Sequence, residues 1–75
     1  MNYIEYIESN ENVMLGKPVV KGTRITVALV LQRLSEGATT EELMKAYPSL
    51  TPTAIAAVLA YASDVIGNES IIAVA

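Results

Sequence analysis

Cysteine and histidine are both missing from these 75 residues. Thiolate nucleophiles, imidazole bases and the common zinc sites each need one of the two, so most catalytic chemistry is closed to the chain. A serine–lysine or paired-carboxylate mechanism is what remains, and no spacing supports one. Glu41 and Glu42, two adjacent acids, are better explained as helix-capping and dipole-pairing residues than as a catalytic pair. What is left is charge. No acid lies between Asn12 and Ser35, and four of the five cations fall there: Lys17, Lys21, Arg24 and Arg33. All eight acids lie outside that stretch, opposed only by Lys45. The net charge of −3 argues against nucleic acid as a partner when taken as a sum, but its distribution describes a basic arm set in an acidic body. Such an arm does one kind of chemistry, an electrostatic grip on phosphates or carboxylates. The expectation is a binding protein that is not an enzyme, with no metal and no cofactor.

The elements that must hold this arm divide the single domain into three parts: an N-terminal β arm over 1–25, a three-helix core over 26–67 and an apolar tail over 68–75. Tyr3 to Ile7 fits a short strand or a helical turn equally, because its period decides neither. Val13 to Ile25 has short β-branched pairs punctuated by Gly16, Pro18 and Gly22, which predicts a small hairpin or extended arm with Pro18 at an edge. Thr26 caps a helix over about Val27 to Glu36 that Gly37 ends. Thr39 with Glu42 forms a capping box for a helix from Thr40 to Ala46 or Tyr47, stopped by Pro48. Thr51, followed by Pro52, starts a third helix that runs to about Ile66. Its expected core stripe is Ile55, Val58, Leu59, Ala62, Val65 and Ile66.

A short helix, a turn at Pro48-Ser49-Leu50 and a longer helix, closed by a preceding helix, is the layout of a helix-turn-helix domain, although a plain three-helix bundle shares it. In a DNA reader the start of the last helix faces the bases, which here offers Thr51, Thr53 and Ala57 and no cation. Phosphate contacts would then fall to Lys17, Lys21, Arg24 and Arg33. Thr53, Ala56, Ala57, Ala60 and Asp64 also form a strip of small side chains, which fits helix packing against a partner as well as simple helix propensity on a solvated face. The four tyrosines read as core or interface residues.

So small a chain buries only about 60% of its unfolded surface. With no disulfide or zinc ligand to help, association is the remaining aid, and a homodimer is expected. The acidic start does not read as a signal peptide, and no apolar run approaches the roughly 20 residues of a membrane span, so a soluble cytoplasmic protein without a membrane partner is expected.

Gly16-Lys17-Pro18-Val19-Val20-Lys21-Gly22-Thr23-Arg24-Ile25, with Gly37 to Leu43, Tyr47-Pro48-Ser49-Leu50-Thr51 and the helix through Ala57 to Ala62, resembles the bacterial domain-of-unknown-function family 433 over about residues 3–66. The GKPxxKGTR run and the later YPxLT make a specific pair of motifs. The resemblance implies a mainly α, homeodomain-like helix-turn-helix fold with an N-terminal β arm. It also implies an antitoxin-like role similar to that of VapB-type antitoxins, in which the protein covers a PIN-like nuclease toxin and, in complex with it, binds operator DNA to repress its own operon. The residues carried over are Lys17, Lys21, Gly22, Thr23 and Arg24. The third helix lacks cations, which favours toxin binding over operator binding. An interaction domain without DNA binding is the alternative. Read physically, N–H groups at Gly22-Thr23 beside Arg24 either cradle an anion or serve a turn whose Thr23 and Arg24 tie the arm to Glu41 or Glu42.

Overall fold

The computed structural model describes residues 2–68. The apolar tail expected at the C-terminus lies, from residue 69 onward, outside the described residues. Three helices, α1 (Val27–Ser35), α2 (Thr40–Ala46) and α3 (Pro52–Gly67), follow a two-stranded antiparallel pair, β1 (Ile7–Glu8) and β2 (Val19–Val20). The architecture is mainly α with a short β element, as the sequence predicts.

Each helix starts where a threonine oxygen accepts an otherwise orphaned backbone N–H. Thr26 Oγ1 accepts from Leu29 N–H at 3.0 Å, and Thr51 Oγ1 accepts from Ala54 N–H at 3.0 Å with Pro52 in the first turn. At α2 the box is reciprocal: Glu42 N–H donates to Thr39 Oγ1 at 3.1 Å, and Thr39 N–H donates to Glu42 Oε1 at 2.8 Å. Gly37, at φ +97°, takes the left-handed position after α1. The turn into α3 is pinned by Leu50, which is buried and whose N–H donates to Tyr47 C=O at 2.9 Å.

The core gathers Ile7 and Val20 from the strands, Val27 and Val30 from α1, Leu43 from α2, and Leu50, Ala54, Ile55, Ala57 and Val58 from the turn and α3. Two expectations are corrected here. The inner face of α3 is Ala54, Ile55, Ala57 and Val58, whereas Leu59, Val65 and Ile66 are 47%, 46% and 68% exposed. The two alanines let the backbone of α3 approach its neighbours closely, which turns the helix so that Leu59 falls on the flank.

The arm is also joined differently. β2 pairs with the Tyr3–Ile7 region, in the register Ile7↔Val20 and Glu8↔Val19, and not with Val13 to Leu15. A second contact, Val19↔Thr26, ties β2 to the start of α1, where Val27 N–H donates to Pro18 C=O at 2.9 Å. Tyr3–Glu5 and Met14–Gly16 are single 3₁₀ turns, so Tyr3 to Ile7 is a helical turn followed by a strand. Met14, Leu15 and Gly16 all have positive φ, at 50°, 58° and 83°. Two non-glycine residues in succession in that region are unusual.

Candidate anion-binding turn and apolar face

Val20-Lys21-Gly22-Thr23 is a tight turn. Thr23 N–H donates to Val20 C=O at 3.0 Å and Gly22 has φ +80°, the geometry of a type II turn, whose third position favours glycine. Thr23 locks it further: its Oγ1 donates to Val20 C=O at 2.8 Å and accepts from Ile25 N–H at 3.0 Å. Lys21 N–H donates to Tyr6 C=O at 2.7 Å, fixing the turn to the N-terminal segment. The Gly22 N–H, which points away from the turn's own hydrogen bond, donates to Glu8 Oε2 at 3.1 Å.

Lys17, Lys21 and Arg24, spaced around β2 and this turn, are exposed, and none forms an ion pair among the described residues. The alternative that Thr23 and Arg24 tie the arm to Glu41 or Glu42 gains no contact: Thr23 bonds within its own turn, and Glu42 caps α2. Arg33 lies apart on the outer side of α1 and is already engaged. Its guanidinium meets Glu36 Oε1 at 3.1 Å, and the Tyr47 hydroxyl, then Glu36, raise its pKa above the ordinary arginine value.

The other sequence-predicted contacts lie on α3. Thr51 is exposed but its oxygen is used as the helix cap, and Thr53 is exposed in the first turn. Ala57 is 0% exposed. Its methyl therefore packs in the core and belongs to neither a base-reading surface nor the small-residue strip, a correction that follows from the turned register of α3.

Two features escaped the sequence. Glu8 stands 14 positions before the N–H it holds, and no local spacing signals that pairing. The C-terminal half of α3 forms a surface groove of about 170 Å³ with α1, lined by Val27, Leu31, Tyr61, Ala62, Val65 and Ile66, which present only apolar surface to it. Next to it, Tyr3 stacks edge-on against Tyr61 with ring centroids 5.4 Å apart and donates its hydroxyl to Asp64. That hydrogen bond, then partial desolvation, raises the Tyr3 pKa. No helix among the described residues is long and apolar enough to cross a membrane, and no group of acids among them is placed to hold a metal ion.

A family model described as a protein of unknown function, DUF433, matches residues 7–62. The crystal structure of a DUF433 member protein from Anabaena variabilis superposes with a TM-score of 0.76 at 28% identity, over 84% of this chain and 66% of that one. The chain thus spans just under two thirds of that relative's length. None of the curated proteins matches it.

Proposed function

We propose that this chain, which belongs to the DUF433 family, is an antitoxin-like binding protein with a homeodomain-like helix-turn-helix core. It covers a PIN-like nuclease toxin and grips operator DNA through its N-terminal arm. The observation that carries the reading is the set of three exposed cations, Lys17, Lys21 and Arg24, held around one hydrogen-bonded turn with no ion-pair partner among the described residues. The α2–turn–α3 arrangement, with each pair of helices in contact, supports the core assignment. Exposed Leu59, Val65 and Ile66 beside the apolar groove support a protein partner, which we assign to the nuclease. A cytoplasmic homodimer belongs to the same reading, since a 75-residue chain gains stability by association.

The test is fluorescence anisotropy on the chain's own upstream DNA, with and without the neighbouring gene's nuclease, at 50 and 200 mM salt. Three phosphate contacts imply a salt slope of about −2.7, so affinity should fall about 40-fold across that range. Replacing Lys17, Lys21 and Arg24 together by Gln should flatten the slope. Inhibition of the nuclease should survive that change. A second reading, an interaction domain without DNA binding, is favoured by the absence of any cation on α3. It prevails if no binding is seen even at 50 mM salt while the nuclease is still captured.

A further inference from the structure

The Gly22 N–H is held by a carboxylate although the turn carrying it is flanked by cations. Glu8 reaches from β1 across the strand pair to place Oε2 at 3.1 Å from that nitrogen. An N–H at the third position of a type II turn is not needed by the turn itself, and a charged oxygen is its strongest acceptor. The bond is solvent-exposed, and so are Lys21 and Arg24 on either side. An oxyanion thus already occupies the donor that the turn offers, which lies in the sequence between two cations.

We propose that Glu8 is a built-in competitor at this turn. Its carboxylate stands where a DNA phosphate oxygen binds, and the incoming phosphate displaces it from the Gly22 N–H while Lys21 and Arg24 neutralise the charge. This rests on the DNA-binding reading above and adds its regulation: affinity is held down until a phosphodiester competes successfully with a tethered carboxylate. The exchange is even in hydrogen bonds, one charged oxygen for another at the same donor. Selectivity therefore comes from the number of cations the incoming group engages at once. Glu8 engages none in an ion pair.

Glu8→Gln tests this with little risk to the fold, because the amide oxygen can still accept from Gly22 N–H without carrying charge. One probe is inorganic phosphate, titrated while the amide resonances of residues 21–24 are followed by NMR. The other is a random-sequence DNA duplex followed by anisotropy. In Glu8→Gln the Gly22 resonance should move at lower phosphate concentration than in the wild type. Duplex affinity should rise about threefold, the effect of removing one unit charge roughly 6 Å from a phosphate in water. Glu41→Gln removes the same charge from α2 and should change affinity less. The proposal is overturned if phosphate leaves Gly22 unmoved in Glu8→Gln, or if Glu41→Gln tightens the duplex as much as Glu8→Gln does. If no variant binds the duplex but phosphate moves Gly22 in Glu8→Gln, the competitor stands and the DNA reading falls.

Discussion

Ala56 and Ala57 differ by one position on α3 and by everything in their surroundings, so a matched pair of substitutions reads the register of the helix directly. Ala57 is 0% exposed, beside Val58 and Ile55 at 0% and 2%, while Ala56 is exposed. Ala57→Leu adds three carbons to a space that is already filled, and overpacking of that kind costs about 1–3 kcal/mol. The upper part of the range is expected, because the neighbours are fully buried and have no solvent side into which to move. Ala56→Leu adds the same atoms to the surface, where the change in helix propensity is only a few tenths of a kcal/mol. A domain of this size is stable by roughly 4–11 kcal/mol. With a urea dependence of about 1 kcal/mol per M for a small protein, Ala57→Leu should lower the midpoint by about 2 M and Ala56→Leu by less than about 0.5 M. Equal midpoints for the two variants would refute the placement of Ala57 in the core. They would also restore the small-residue strip as a surface that includes it.

Leu15 has φ +58° and is 91% exposed, so its side chain contributes no burial while its backbone occupies a conformation costing about 1–2 kcal/mol for an L residue. Leu15→Gly should raise stability by about 0.5–1 kcal/mol once the greater freedom of glycine in the unfolded chain is subtracted; a fall in thermal midpoint would contradict the left-handed turn. Tyr3 has its pKa raised, chiefly by donating to Asp64. Because the folded value lies above the unfolded one, this contribution is whole below about pH 10 and is lost as pH rises through the folded pKa, where tyrosinate would face a carboxylate. The stability difference between wild type and Tyr3→Phe should accordingly be constant from about pH 7 to 9 and shrink above about pH 10. A difference that stays flat into stronger alkali would argue against the Tyr3–Asp64 bond.

The helices were legible because their ends are written in local chemistry. Thr26, Thr39 with Glu42, and Thr51 with Pro52 each satisfy N–H groups within three residues, so the sequence alone places the starts of α1, α2 and α3. The face of α3 was only partly legible, since its apolar residues nearly surround the helix: Ile55 and Val58 are buried as read, while the choice between Ala57 and Leu59 as the next inner position depends on how closely α1 and the strands approach. Pairing of β1 with β2 joins segments about a dozen residues apart, and two-residue strands carry too little period to announce a partner. For the site, cation placement could be read from the acid-free run, and Gly22 from its turn. The Glu8 carboxylate could not, because its contact exists only once that strand register is set.

The segregation of charge bears on how one small chain could serve two partners of opposite character. Outside residues 12–35 a single lysine stands against eight acids, while Arg33 within that stretch is spent on Glu36. Seen from far away the molecule repels DNA. At physiological salt, however, the screening length is about 8 Å, and the molecule measures 40 × 30 × 23 Å, so a phosphate at the β2 turn responds to Lys17, Lys21 and Arg24 with most of the acids screened from it. Glu8 sits at the turn itself, bonded to the Gly22 N–H, and for that reason its charge weighs on affinity most directly. A nuclease, which must expose cations to hold its own nucleic acid, would meet the opposite sign on the acids that lie outside residues 12–35. Because most of those acids are screened from the turn, a nuclease that neutralised them without touching base or phosphate should tighten DNA binding by less than Glu8→Gln does, a comparison that anisotropy makes directly.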